Sequence, residues 1–124
     1  KQGSKIAVLS IGDIGNRIID ICKTIPNKDQ IAHYDMRFVK PIDEDLLHII
    51  CEKFDTIITI EDGAITGGFG SAILEFIHEH NYQNKMVKRL GVPDSFIEHG
   101  SNDRLLNSIT LDRKSIKEVL ESFC

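Results

Sequence analysis

Apolar residues recur along the chain with two alternating spacings. Residues 6–11 (IAVLSI) form a short, nearly continuous apolar run, the pattern of a strand that is covered on both faces. Over residues 14–25 the apolar positions recur at the spacing of an amphipathic helix, which Pro26 ends. Gly12 lies between the two segments. A strand, a tight turn and a helix in this order predict the start of a βαβ unit.

Three further strands and three further helices continue this alternation. Strands are predicted at residues 31–36, 56–60 and 85–90, and the last is expected near a sheet edge because it is more polar. One helix is expected to begin after Asp43, a candidate N-cap followed by an acidic first turn. The final helix is expected to begin after a similar candidate, Asp112. The buried faces of the last two helices are predicted to consist of Ile73, Phe76 and Ile77, and of Ile116, Val119, Leu120 and Phe123.

The order of these elements predicts an α/β fold. Strands that alternate with helices favour a mainly parallel sheet with helices on both faces, linked by right-handed crossovers. A chain of 124 residues is long enough for one hydrophobic core and too short for two. Residues 1–124 are therefore predicted to form a single domain, in which residues 91–101 are the one long irregular segment.

Composition excludes several classes of protein. The formal net charge of -4 and the scattered basic residues argue against a nucleic-acid surface. No apolar stretch approaches the roughly 18 residues that a membrane span requires. Three cysteines without a C-x-x-C pair indicate a reducing compartment, the cytoplasm, and no thiolate metal site. The chain begins with neither an initiator Met nor a signal sequence, so it is expected to be a fragment of a longer multidomain protein.

The glycine-rich stretch TGGFGS follows the third predicted strand. Gly67, Gly68, Gly70 and Ser71 lie where a parallel sheet presents helix N-termini to anions, and they are the candidate anion-binding residues. Their spacing matches neither G-x-G-x-x-G nor the phosphate-binding G-x-x-x-x-G-K-[ST]. Packing is the favoured interpretation, with Gly67 and Gly68 supplying a positive φ and a close approach of helix to strand.

The turn after the first strand offers a second candidate. Gly12-Asp13 begins like the G-D-G motif of thiamine-diphosphate enzymes, but Ile14 stands in the third position. No Asn lies around residues 39–41, where the second half of that motif is expected. The favoured role of Asp13 is therefore to cap the first helix.

The remaining polar residues do not form a recognisable active site. His78 and His80 are about 200° apart around a helix and cannot share a metal ion. His48 and Cys51 lie on one helical face but lack a third ligand. The Glu61-Asp62 pair ends the third predicted strand, where a solvated or capping role is favoured over catalysis. The residues themselves thus indicate no nucleophile with a base and no metal cluster.

Three stretches of the chain, taken together, resemble one family. They are DMRFVKPID (35–43), EDGAITGGFGSAILEF (61–76) and LGVPDSFIEHGS (90–101). They resemble the C-terminal domain of the 1-deoxy-D-xylulose-5-phosphate synthases, thiamine-diphosphate enzymes of the transketolase superfamily, and the likeness extends over essentially the whole chain. The pattern D-x-R-x-x-x-P-x-D is shared across the superfamily, whereas RFVKP combined with VPDSFIEHGS is more particular to the synthases.

The resemblance implies a three-layer α/β/α sandwich with a mostly parallel five-stranded sheet, as the last domain of a homodimeric chain. It also implies a parent enzyme that condenses pyruvate with glyceraldehyde 3-phosphate and releases CO2, for isoprenoid and thiamine biosynthesis. In that family thiamine diphosphate and Mg2+ lie between the two upstream domains, so this domain is expected to hold no cofactor, no metal and no catalytic residue. Its expected partners are the other domains of its own chain and the second copy of the dimer.

Two alternatives stay open beside a structural and dimerisation domain. The first is a regulatory module that holds an anionic metabolite at residues 12–15 and 67–71. The second is the C-terminal domain of a transketolase or of a 2-oxo acid dehydrogenase beta subunit, against which VPDSFIEHGS argues. Arg37, just beyond the second strand, is expected to pair with a carboxylate such as Asp43.

Overall fold

The structure, a computed structural model, describes residues 5–12, 14–36, 43–64, 68–92 and 113–123. Its strands are β1 (Ile6–Ile11), β2 (Ile31–Asp35), β3 (Thr56–Ala64) and β4 (Met86–Val92). Its helices are α1 (Ile14–Lys23), α2 (Glu44–Lys53), α3 (Phe69–Glu79) and α4 (Arg113–Ser122), and a short 3-10 turn (Lys28–Gln30) precedes β2. None of these described helices is long and apolar enough to cross a membrane.

The four described strands form one parallel sheet in the order β2-β1-β3-β4. The chain runs outward from β1 to β2 and then returns past β1 to β3, so the direction of strand addition reverses between β1 and β3. In open parallel sheets, ligands bind beyond the carboxyl ends of the strands at such a reversal. Among the described strands, β4 lies at an edge, where its polarity predicted it.

Helices cover both faces of the sheet. Ile6 and Val8 of β1 pack with α1 and α4, whereas Ala7 and Leu9 pack with α2 and α3. These four side chains are fully buried, which explains why β1 is a continuous apolar run with no polar alternation. The predicted α/β fold is confirmed, with the three layers that the resemblance implied.

The predicted helix starts and faces are confirmed where the structure describes them. The Oδ1 atom of Asp43 accepts the backbone N–H of Leu46 at 3.1 Å, which caps α2. Asp112 lies outside the described residues. The predicted apolar faces pack into the two cores, with Ile73, Phe76, Ile77, Ile116 and Leu120 buried and Val119 and Phe123 partly buried.

The ends of β3 and β4 differ from the prediction. β3 continues beyond Ile60 to Ala64, with a register irregularity between these residues. The sequence EDGA did not predict this extension, because a charged residue such as Glu61 is usually exposed. In the structure Glu61 is buried. β4 includes residues 91 and 92, which were predicted to be irregular, while residues 93–101 lie outside the described part of the chain. The described sheet has four strands where the resemblance implied five.

Candidate functional site

The carboxyl ends of β1 and β3 lie side by side where the strand order reverses. Ile11, the last residue of β1, is the register partner of Glu61 in β3. α1 follows β1 and α3 follows β3, so both helices begin near this edge of the sheet. Helix starts present backbone N–H groups that favour negative charge. An anion could bind at this edge only through N–H groups that have no acceptor within the protein.

Glu61 supplies the carboxylate at the start of α3. Its Oε2 atom accepts the backbone N–H of Phe69 at 2.6 Å, and its Oε1 atom accepts that of Gly70 at 3.0 Å. The side chain is only 3% exposed, so these charge-assisted hydrogen bonds lie in a buried setting where they are strong. Glu61 therefore caps α3 from the neighbouring strand. The capping role proposed for the Glu61-Asp62 pair is confirmed for Glu61, and the Asp62 side chain lies outside the description.

Gly70 allows α3 to approach β3 closely. A Cβ atom at this position would lie 2.8 Å from Thr59 Oγ1 and 3.0 Å from Arg89 Cδ, which is closer than a carbon atom can pack. The Thr59 hydroxyl is fully buried and has no hydrogen-bond partner among the described residues. The sequence predicted a close approach at Gly67 and Gly68, and the structure shows one at Gly70.

The predicted anion-binding residues are only partly within the described chain. Gly67 lies outside it. Gly68 is the N-cap of α3 with a φ of -92°, so the positive φ predicted for this glycine is wrong. Ser71 lies in the first turn of α3, as predicted, and accepts a hydrogen bond from the Arg89 guanidinium at 3.3 Å. Anion binding by this turn stays a prediction, because an incoming anion would meet the Glu61 carboxylate at two of the N–H groups it needs.

A buried serine and histidine lie on the other face of the sheet. Ser10 Oγ and His33 Nε2 share a hydrogen bond of 2.7 Å. The sequence indicated no such pair because its members are 23 residues apart and meet only through the parallel pairing of β1 with β2. Ser10 is fully buried and His33 is 7% exposed. This burial closes the hydroxyl off from solvent, and the hydrogen bond joins β1 to β2.

The turn between β1 and α1 does not fit a thiamine-diphosphate site. Gly12 has a φ of 88°, and its carbonyl accepts the N–H of Gly15 in a tight turn. Ile14, which stands where the diphosphate motif needs glycine, is 2% exposed and belongs to the hydrophobic core. A Cβ atom on Gly15 would lie 3.1 Å from Ser10 Oγ, so close packing accounts for this glycine. Asp13, the predicted N-cap, lies outside the described residues.

Two histidines from different helices meet in an aromatic cluster at the other end of α3. His48 of α2 stacks on His80, with ring centroids 4.6 Å apart, and shares a hydrogen bond of 2.6 Å with the Tyr82 hydroxyl. Phe76 packs against both imidazoles. The sequence did not indicate this contact, because His48 in α2 and His80 at the end of α3 meet only when the two helices pack together. Within the described ranges, no group of three His, Cys, Asp or Glu residues is placed to hold a metal ion.

Two groups beside this cluster hold their protons more tightly than usual. Burial raises the pKa of the Cys51 thiol above its ordinary value. Burial and the nearby Glu52 carboxylate likewise raise the pKa of the Tyr82 hydroxyl. A thiol that stays protonated is a poor nucleophile. Cys22 and Cys51 are both free and buried, and Cys124 lies outside the described residues.

Comparison with known proteins identifies similar domains in both sequence and structure. A family model described as the C-terminal domain of transketolase matches residues 1–116. Among curated relatives, the 1-deoxy-D-xylulose-5-phosphate synthase of Parabacteroides distasonis is 50% identical over 122 residues and that of Cytophaga hutchinsonii is 46% identical over 123 residues. Each alignment covers 98% of this chain and 19% of the relative. The chain thus spans about a fifth of the length of the curated relatives it matches.

A more distant relative and a solved structure extend this comparison. The 1-deoxy-D-xylulose-5-phosphate synthase of a Geobacillus species (strain WCH70) is 42% identical over 113 residues, which is 90% of this chain and 18% of the relative. A solved structure described as a split gene transketolase, inactive beta4 tetramer, superimposes with a TM-score of 0.85 at 23% identity. That superposition covers 99% of this chain and 40% of the solved one, and at this identity it establishes the fold alone.

Proposed function

The chain belongs to the transketolase C-terminal domain family, and from this membership we propose that it is the C-terminal structural and dimerisation domain of a 1-deoxy-D-xylulose-5-phosphate synthase. One observation carries the proposal: synthases are 42% to 50% identical to this chain over nearly its whole length. The transketolase of known structure is only 23% identical. The proposal therefore favours a synthase as the parent over a transketolase or a 2-oxo acid dehydrogenase beta subunit.

The proposed parent is a cytoplasmic homodimer that condenses pyruvate with glyceraldehyde 3-phosphate and releases CO2. Thiamine diphosphate, assisted by Mg2+, supplies the carbanion chemistry of such enzymes when it is bound. In this proposal both are held by domains upstream of this one. The buried Ile14 at the β1–α1 turn supports that assignment, because it fills the place where the diphosphate motif requires a glycine.

A structural role agrees with how this domain uses its polar groups. Both carboxylate oxygens of Glu61 accept N–H groups of α3, and the Ser10 hydroxyl is bonded to His33 and closed to solvent. The Arg89 guanidinium donates to Ser71. In the described part of the chain, these side chains hold β3 and β4 to α3 and β1 to β2. We infer that the isolated domain has no activity of its own.

The test compares the full-length parent with a version that ends just before Lys5. Each is assayed for 1-deoxy-D-xylulose 5-phosphate formation from pyruvate and glyceraldehyde 3-phosphate, with transketolase substrates as the matched control, and each is sized in solution. Loss of activity together with loss of the dimer is the expected result. A truncated protein that stays dimeric and fully active would contradict the proposal, and activity on transketolase substrates alone would contradict the choice of parent.

A second measurement addresses the isolated domain. Calorimetry of residues 1–124 with thiamine diphosphate and Mg2+ is expected to show no binding. Binding at micromolar strength would mean that this domain itself holds the cofactor. It would contradict the proposal that the upstream domains hold it.

A further inference from the structure

Tyr82 is one of two tyrosines in a chain that contains no tryptophan. Phenol and indole rings are the aromatic side chains that lose one electron most readily, so Tyr34 and Tyr82 are the candidate sites for such an oxidation. The Tyr82 hydroxyl shares a hydrogen bond of 2.6 Å with Nδ1 of His48. Within the described ranges no hydrogen bond is found for the Tyr34 hydroxyl, whose ring packs edge-on against Phe54. Of these two phenols, Tyr82 therefore has a base in direct contact.

Two further aromatic rings hold the His48 imidazole in place. The His80 ring stacks on it, with 4.6 Å between the ring centroids and 15° between the ring planes. The Phe76 ring lies edge-on to it at a centroid distance of 4.8 Å. His48 cannot turn away from the Tyr82 hydroxyl without breaking these contacts. Its Nδ1 atom thus stays within the roughly 2.6 to 3.2 Å from which a base accepts a proton.

The charges around this pair favour a proton transfer that accompanies the loss of an electron. Burial and the Glu52 carboxylate raise the pKa of the Tyr82 hydroxyl, so the phenol keeps its proton at neutral pH. A phenol that has lost an electron is a strong acid, and its proton moves to a base that already touches it. Glu52 follows His48 by one turn of α2, and a carboxylate at this spacing stabilises a positively charged imidazole.

We propose that Tyr82 and His48 form a redox pair, in which a small one-electron oxidant, such as an organic peroxyl radical, removes an electron from Tyr82 while the phenol proton passes to Nδ1 of His48. The O–H bond of Tyr82 breaks and an N–H bond forms at His48. The products are a neutral tyrosyl radical, an imidazolium and the oxidant reduced by one electron. One electron from a reductant such as ascorbate, with return of the same proton, restores both residues. This pair does not depend on the proposed parent enzyme.

The test is oxidation of the 124-residue chain by photogenerated tris(bipyridine)ruthenium(III), followed by transient absorption and electron paramagnetic resonance of the tyrosyl radical. Tyr82→Phe is expected to slow radical formation about tenfold, because the remaining phenol has no base in contact. Tyr34→Phe, the matched control, is expected to leave the rate nearly unchanged. The original chain is expected to react more slowly in D2O, since the proton moves with the electron. An equal loss of rate in the two variants, or equal rates in the two solvents, would overturn the proposal.

A change at His48 separates the base from the hydrogen bond. His48→Gln keeps an amide oxygen that can accept the Tyr82 hydroxyl proton in a hydrogen bond but cannot take it up, so radical formation is expected to slow about tenfold. His78→Gln makes the same change at an exposed position of α3 and is expected to have no effect. Far-ultraviolet circular dichroism checks that both variants are folded. A folded His48→Gln chain that forms the radical as fast as His78→Gln would show that His48 does not accept the proton.

Discussion

The carboxylate of Glu61 in β3 accepts the backbone N–H of Gly70 in α3 at 3.0 Å. Together with the bond from Phe69 at 2.6 Å, this contact fastens the carboxyl end of a central strand to the first turn of the helix that follows it. The same two N–H groups are the ones that an external anion at this turn would need. Glu61 thus occupies, from within the fold, the position where a phosphate-binding protein holds its ligand.

Replacing Glu61 tests how strongly this bond holds α3. Glu61→Gln keeps the shape of the side chain but removes its charge, so we expect a loss of about 1 to 2 kcal/mol in the free energy of unfolding. Glu61→Ala leaves two buried N–H groups unpaired, and a loss of about 2 to 4 kcal/mol is expected. Urea unfolding measures both, with the exposed Glu75→Gln on α3 as the control. Equal stability of Glu61→Gln and Glu75→Gln would show that the cap contributes nothing.

The Glu61→Gln variant also tests the anion-binding hypothesis for Gly68, Gly70 and Ser71. If an anion site exists here, inorganic phosphate should stabilise the chain against heat, and removing the repulsive Glu61 charge should increase that stabilisation. Gly68→Asp, which adds a negative charge at the same helix start, should abolish it. Thermal unfolding that does not respond to phosphate in any of the three proteins would dismiss the site.

The contact between Gly70 and Thr59 predicts a specific coupling. Gly70→Ala places a methyl group 2.8 Å from Thr59 Oγ1 and is expected to destabilise the fold by about 1 to 3 kcal/mol. In a Thr59→Ala background the shortest of these contacts is gone and only the flexible Arg89 side chain remains close, so the cost of Gly70→Ala should become smaller. A double-mutant cycle measures this difference. An identical cost in both backgrounds would place the clash elsewhere.

The Thr59 hydroxyl offers a substitution that should stabilise the protein. It is fully buried without a hydrogen-bond partner in the described part of the chain, and an unpaired buried hydroxyl is unfavourable. Thr59→Val keeps the shape and removes the hydroxyl, so we expect a gain of about 1 kcal/mol in the free energy of unfolding. The control is Thr24→Val, which loses the bond from Thr24 Oγ1 to the Ile21 carbonyl at 2.7 Å and should be destabilising. A loss of stability in Thr59→Val would reveal a partner for this hydroxyl.

Ser10 and His33 resemble a catalytic pair in composition, but their burial predicts a structural role. Ser10→Ala is expected to lower the free energy of unfolding by about 1 to 3 kcal/mol, because it removes the partner of His33 Nε2. In the full-length parent, kcat of Ser10→Ala should equal that of the original enzyme at temperatures where both are folded. A large loss of kcat without a loss of stability would mean that the hydroxyl takes part in the reaction.

The raised pKa values of Cys51 and Tyr82 predict how stability depends on alkaline pH. Their ordinary values are 9.0 and 10.0, and folding raises both. The unfolded chain therefore loses these protons first, so stability is complete below pH 9 and falls as the pH rises through the folded-state values. Tyr82→Phe removes one of the two groups and should make the alkaline decline less steep. Unfolding midpoints between pH 8 and pH 11 measure it, and identical profiles for both proteins would contradict the role assigned to Tyr82.

The elements of this fold could be predicted from the sequence because each carries a local signal. The apolar stripe of α1 and the N-cap Asp43 are patterns within a few residues of one another, and local sterics and hydrogen bonding determine what they form. The boundary of β3 was missed because its last residues are polar. A charged residue after an apolar run usually indicates that the strand has ended. Only the packing of α3 shows that Glu61 is buried and belongs to β3.

The contacts of the site could not be predicted in the same way. Glu61 meets the start of α3 across eight and nine positions of chain, Ser10 meets His33 across 23, and His48 meets Tyr82 across 34. Strand pairing or helix packing brings each of these pairs together. No spacing rule within a single helix or strand could predict such contacts.

The sequence by itself determined the order of strands and helices, the α/β class and the resemblance to a known family, since these follow from periodicity, capping and conspicuous local motifs. Only the tertiary structure decided which glycine makes the close approach and which group accepts the N–H donors of α3. No local pattern distinguishes Gly70 from Gly68. The packed structure shows that a Cβ atom at Gly70 would meet the Thr59 hydroxyl. Burial and hydrogen bonding depend on which surfaces meet, and that is fixed when the sheet and its helices pack together.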